Sequence, residues 1–84
     1  MAENKLKISI VTPERLVLNE EVDQVNAPGV EGDLGILYDH APLLTTMRAG
    51  RFSYELLGEK GRETINMIVS GGYLEVTDNR VIVL

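Results

Sequence analysis

No window of ten or more residues in this chain places apolar side chains at helical spacing, whereas two-residue alternation recurs along its length. That contrast leaves little besides a β fold. Leu6, Ile8 and Ile10 alternate with Lys5, Lys7 and Ser9, as in a strand with one face in a core. Thr12-Pro13-Glu14 is expected to end that strand. Leu16 and Leu18 then alternate with Arg15 and Val17, and Val22 to Asn26 reads as a further short strand before a turn at Pro28-Gly29. Nine valines, six isoleucines and five threonines against four alanines suit half-buried pleated strands better than helices. Strand signals return every eight to twelve residues, the spacing of a sandwich or barrel. The expectation is a single all-β domain over residues 1–84, with nine to ten short strands in two antiparallel sheets packed face to face as a flattened β-sandwich.

Two hairpin registers follow from loop lengths. Gly58-Glu59-Lys60-Gly61 supplies a tip rich in the residue that tolerates positive φ. Closing it sets Leu57 opposite Arg62, Tyr54 opposite Ile65 and Phe52 opposite Met67. Asp78-Asn79 is a two-residue loop of the kind whose central residues take left-handed φ, and it sets Val76 opposite Val81 and Leu74 opposite Val83, all four facing inward. The outward face of that hairpin carries Tyr73, Ile82 and Leu84 beside Glu75 and Arg80, which is too apolar for ordinary solvent surface.

An 84-residue chain buries roughly 60–65% of its unfolded surface, so its core has to be efficient. Cysteine is absent, which excludes disulfides and thiolate metal sites. Charges at Glu3, Lys5, Lys7, Glu14, Arg15 and Glu20 interrupt any secretory leader pattern. The longest uncharged run, Thr64 to Leu74, has eleven residues, whereas a spanning helix needs about 20. The expectation is a soluble intracellular protein without direct membrane insertion, able to sit against a membrane complex. Net charge is −5, and six acids but no lysine or arginine lie between Leu16 and Met47. Such a surface repels phosphates and anionic headgroups, which sets nucleic acid aside as a partner, and it steers a basic protein toward itself. The plainer alternative is that these acids only solvate loops.

Catalytic constellations do not assemble. His40 is the only histidine; Asp39 beside it is expected on the opposite face, and Ala41-Pro42 holds the backbone extended. A metal site on His40 with Glu31, Asp33 or Asp39 would have one imidazole where such sites usually need several. A histidine hydrogen-bonded at a loop base fits better. No glycine-rich turn precedes Lys-Ser or Lys-Thr at a helix start, so no phosphate loop is read and no cofactor is expected. Ser70-Gly71-Gly72, lying between strands, reads as a corner rather than a ligand loop. Phe52, Tyr54, Tyr38 and Tyr73 lack the basic company that nucleic-acid stacking requires.

The block APGVEGDLGILYDHAPLL, from Ala27 to Leu44, gathers three glycines, two prolines and the only histidine, and reads as a docking surface. With KISIVTPERLVL before it and HAPLLTTMRAG and SGGYLEVTDNRVIVL after it, the chain resembles over nearly its whole length the epsilon subunit of the F-type ATP synthase. One departure is Tyr38-Asp39, where the family often has Pro-Gly or Pro-Asn. A second is that the sequence stops at Leu84, without the helical hairpin that usually follows, either as a naturally short form or as a truncated one. The resemblance implies a non-catalytic central-stalk rotor subunit that links the gamma subunit to the c-ring of a proton-translocating ATP synthase, peripheral at the cytoplasmic face of a bacterial inner membrane or at the organellar equivalent. It implies that Glu31, Gly32 and Asp33 meet basic polar loops of the c-ring, and that His40, Ala41, Pro42 and Leu43 lie near the gamma contact. It further implies that a chain ending here attaches without restraining ATP hydrolysis. The alternative kept open is a stand-alone β-sandwich that binds a protein or small ligand.

Overall fold

The computed structural model describes residues 5–11, 16–59 and 61–84. These fold into nine strands: β1 Leu6–Val11, β2 Leu16–Val22, β3 Gln24–Gly29, β4 Gly32–Ile36, β5 Leu43–Met47, β6 Gly50–Gly58, β7 Gly61–Val69, β8 Gly72–Thr77 and β9 Arg80–Val83. The stop expected at Thr12-Pro13-Glu14, the alternation at Arg15 and the Lys60 position of the β6–β7 tip lie outside the described residues.

The strands form two layers of a β-sandwich. One runs β2-β1-β9-β8-β5, and the other holds β4, β3, β6 and β7. The layers are not separate sheets. β3 pairs β4 along one edge, while its other edge pairs β6 at Gln24–Asn26 and then β5 at Gly29–Met47. One hydrogen-bonded path therefore curls around both sides of the core. A second difference from the purely antiparallel expectation is that β1 runs parallel to β9, from Lys7 beside Arg80 to Ile10 beside Val83. Parallel neighbours need a long crossover, and everything from β2 to β8 serves as one.

Both hairpin registers are as expected: Tyr54 faces Ile65 and Phe52 faces Met67, while Leu74 faces Val83 and Val76 faces Val81. Asp78 and Asn79 take φ of 56° and 62°, the left-handed values a two-residue loop demands. Leu6, Ile8, Leu74, Val76, Val81 and Val83 from the first layer meet Val25, Ala27, Ile36, Phe52 and Tyr54 from the second, and all are buried. At the open side of the sandwich the Tyr54 hydroxyl donates to Glu20 Oε1 at 3.2 Å, tying β6 to β2. Burial, then the charge and hydrogen bond of Glu20 and the charge of Glu63, push the Tyr54 phenol above its usual range.

Asp23 carries the chain from the first layer to the second. Its backbone N–H donates to Glu55 O at 2.8 Å. Its carboxylate accepts from Leu57 N at 2.6 Å and Lys5 Nζ at 3.0 Å. Burial works to raise its pKa, but the Leu57 N–H, the hydrogen bond and charge of Lys5 and the charge of Arg62 together outweigh it and hold Asp23 below the ordinary carboxylate value.

Candidate functional site

The β3–β4 hairpin differs from the expected turn at Pro28-Gly29. Both residues stay inside β3, and the reversal is made by Val30-Glu31. A β-carbon on Gly29 would come within 2.6 Å of Gly32 O, and Gly32 itself sits at φ 141°. Glycine at both positions lets the two backbones close tightly, which pushes Glu31, Gly32 and Asp33 out as an exposed tip.

The three tip residues do not present equal charge. Arg48, which follows β5, lies against the hairpin: its Nη1 donates to Gly29 O at 2.5 Å and its Nη2 meets Asp33 Oδ1 at 2.6 Å. Asp33 is thus partly neutralised, and Glu31 is the tip acid without an ion-pair partner among the described residues. Arg48 stands just outside the base-free stretch that ends at Met47, so the sequence pattern missed it. Only the pairing of Gly29 with Met47 brings it back to the hairpin.

His40, Ala41, Pro42 and Leu43 lie at the far end of β4. A turn is closed there by His40 N donating to Leu37 O at 3.1 Å. Asp39 occupies φ 66°, the left-handed conformation that glycine or asparagine would adopt most readily and aspartate tolerates, so Tyr38-Asp39 makes the reversal in spite of its residue types. The loop is clamped to the β8–β9 turn, because Asp39 N donates to Asn79 Oδ1 at 2.6 Å. His40 Nδ1 donates to Ala41 O at 2.7 Å, the loop-base role expected of it, which fixes the proton on that nitrogen. Ala41 and Pro42 are exposed, and Leu43 is half-buried at the start of β5.

The outward apolar patch forms one surface. Tyr73 and Leu84 exchange both backbone hydrogen bonds, at 3.1 and 3.0 Å, and both side chains are exposed, while Ile82, two pairs along the ladder on the same face, is half-buried. The sequence reading missed Leu44, which is 73% exposed and stands opposite Glu75, extending the patch onto β5. Ser70-Gly71-Gly72 is the corner it was read to be: both glycines have φ near 120°, at 129° and 119°, and a β-carbon on Gly72 would meet Leu84 O at 2.3 Å.

Hollows on this surface are shallow. One of about 410 Å³ lies over β3, β4 and β6 and is lined by Asn26, Asp33, Gly35, Arg48, Arg51 and Ser53. No group of three or more histidine or acidic side chains among the described residues is placed to hold a metal ion. The expected contact segments are exposed loops and an exposed sheet face, chemistry suited to docking proteins.

Comparison with known proteins bears on the family and the fold. A family model described as "ATP synthase, Delta/Epsilon chain, beta-sandwich domain" matches residues 5–84. The chain is 54% identical over 80 residues to an ATP synthase epsilon chain of Dehalococcoides mccartyi, an alignment covering 95% of this chain and 54% of that one. It is 51% identical over 81 residues to the ATP synthase epsilon chain of Carboxydothermus hydrogenoformans, covering 96% and 58%. The chain thus spans about half the length of the relatives it matches. A chain in the cryo-EM structure of the Euglena gracilis mitochondrial ATP synthase, OSCP/F1/c-ring, superposes with a TM-score of 0.85 at 22% identity, covering 96% of this chain and 50% of that one. A chain of the Tetrahymena thermophila mitochondrial ATP synthase central stalk/c-ring gives a TM-score of 0.76 at 21% identity, covering 94% and 61%. At those identities the likeness shows the fold.

Proposed function

This chain belongs to the β-sandwich family of the ATP synthase delta/epsilon chain, and from that premise we propose that it is a non-catalytic rotor subunit joining the gamma subunit to the c-ring of a proton-translocating enzyme. Its place is the peripheral, cytoplasmic side of a bacterial inner membrane, where it couples rotation to ATP synthesis without inserting into the bilayer.

The observation that carries this reading is bipolar geometry. Glu31 to Asp33 open β4 and His40 to Pro42 lie beyond its far end, four residue steps of ~3.4 Å from Asp33 to Leu37 setting them about 14 Å apart, while Leu43 returns on β5 to the hollow lined by Glu31, Gly32 and Asp33. A protein that joins two partners needs two docking segments held at fixed distance. Glu31, Gly32 and Asp33 are assigned to the polar loops of the c-ring, where Glu31, without an ion-pair partner among the described residues, attracts basic side chains. His40, Ala41, Pro42 and Leu43 are assigned to gamma, on a loop already stiffened by its bond to Asn79. Leu44, Tyr73, Ile82 and Leu84 offer an apolar face on which gamma or a helical domain packs.

The test is reconstitution with an epsilon-depleted enzyme. Reversing Glu31 to lysine should weaken coupling of proton flow to synthesis while gamma binding is kept, and substituting Pro42 and Leu43 should do the opposite. Full coupling in the Glu31→Lys enzyme would remove the c-ring assignment.

A further inference from the structure

Three strand edges are open among the described residues, those of β2, β4 and β7. Two are defended. β4 is five residues long, with glycine at two positions and Asp33 near its start, and β2 carries Glu20 and Glu21. Short length, glycine and charge are the usual means of keeping an edge from pairing with another chain. β7 has nine residues, and after Glu63 it has no charge to its end. Ile68 on its outward face is 80% exposed, the highest exposure among the large hydrophobic residues of the described chain.

The free backbone groups of that edge can be assigned. Glu55 O accepts from Asp23 N at 2.8 Å, so Glu55 turns its backbone toward the β3 side of β6. Its partner on β7 is Thr64, and that pair is therefore not hydrogen-bonded. With a period of two, Arg62, Thr64, Asn66 and Ile68 direct their N–H and C=O groups away from β6, into the open edge. The alternate residues Ile65, Met67 and Val69 face the core and are half-buried. Toward the hairpin tip Glu63 has no ion-pair partner among the described residues, Arg62 being engaged by Glu55 and Lys5 by Asp23.

We propose that the Thr64–Val69 half of β7 is a docking edge for an extended segment of a partner protein. The segment adds a strand to the sheet, sets apolar side chains beside Ile68, and carries a lysine or arginine at the end nearest Glu63. A second copy of this chain suits the edge poorly, because each copy brings a net charge of −5. The surface is separate from the β3–β4 tip and the His40 loop, and its occupation does not depend on either.

The test uses the isotope-labelled chain and a synthetic ten-residue peptide of alternating valine and threonine with a lysine at each end, followed by amide exchange in NMR spectra. Millimolar peptide should slow exchange at Thr64, Asn66 and Ile68 by about tenfold, leaving β2 and β4 unchanged. Asn66→Pro removes an outward N–H without touching the ladder to β6, and Ile68→Lys changes an exposed side chain; each should abolish the slowing. If Asn66→Pro fails to fold, Ile68→Lys still decides the matter. Absence of slowing on β7, equal slowing on β2 and β4, or equal binding of a peptide with glutamate ends would overturn the proposal. So would self-association of the parent chain that Ile68→Lys removes, which would make a second copy the occupant.

Discussion

Leu74→Ala is the sharpest trial of the packing described above. Leu74 is fully buried, and its strand is hydrogen-bonded on both sides, to Thr45 of β5 and to Val83 of β9. A backbone held on two edges cannot move inward to fill the space left by the missing carbons, so the substitution costs lost transfer energy and leaves a cavity. For buried leucine that amounts to about 2–5 kcal/mol. In a domain of this size each kcal/mol lowers the thermal midpoint by about 4–8 °C, so a mid-range loss of about 3 kcal/mol predicts a fall of about 12–24 °C. Tyr73, one residue earlier and 57% exposed, is the control, and Tyr73→Ala should shift the midpoint by no more than a few degrees. Val81→Asp, which places a carboxylate at a fully buried position opposite Val76, should prevent folding altogether. The assay is thermal denaturation followed by circular dichroism. Equal midpoints for Leu74→Ala and the parent, or equal losses for the Leu74 and Tyr73 variants, would mean that β8 is displaced by one residue and that the inward and outward faces have been exchanged.

Asp23→Asn should flatten the acid limb of the stability curve. Because the folded-state pKa of Asp23 is depressed, its contribution is present above its unfolded value near 3.8 and disappears as pH falls through the lower folded value, so midpoints measured from pH ~5 down to ~2 should fall less steeply in the variant. Gly72→Ala should destabilise the domain by about 1–3 kcal/mol in denaturant titrations, since its φ of 119° and the approach of Leu84 O leave no room for a β-carbon. Lysine at Glu31 alone should reproduce most of the loss of the proposed c-ring attachment expected with lysine at both Glu31 and Asp33, because Arg48 already offsets Asp33; equal effects of the two single changes in a salt-dependent binding assay would contradict this.

The parts of the fold legible in the sequence are those set by short-range constraints. Gly58 and Gly61 bracket a tight tip, and Asp78-Asn79 accept left-handed backbone, so the β6–β7 and β8–β9 ladders could be registered residue by residue. His40 could be read as a loop-base residue from Ala41-Pro42 beside it. The parallel β1–β9 pair and the double membership of β3 join residues far apart in the chain, and neither alternation nor loop chemistry carries information about such neighbours. For the same reason the acidic block looked uniform, although Asp33 shares its charge with an arginine fifteen residues on. Pro28-Gly29 misled in a different way: a pair usually found at turns here permits two backbones to come close within a hairpin, and the reversal follows two residues later, at Val30-Glu31.

The two loops at opposite ends of β4 also decide how the domain meets a mechanical load. A pull applied between Glu31 and His40 acts along the strand axes, parallel to β4 and its neighbour β3. The load is carried by the covalent backbone of β4, which is already extended, and five residue pairs with β3, from Val25 with Ile36 to Gly29 with Gly32, hold that strand in place. A pull across the strands would open them one after another from an end, each yielding before the next is stressed. Resistance along this axis should therefore exceed resistance across it, and single-molecule stretching through cysteines introduced at 31 and 40 would yield at higher force than stretching through cysteines at 33 and 68.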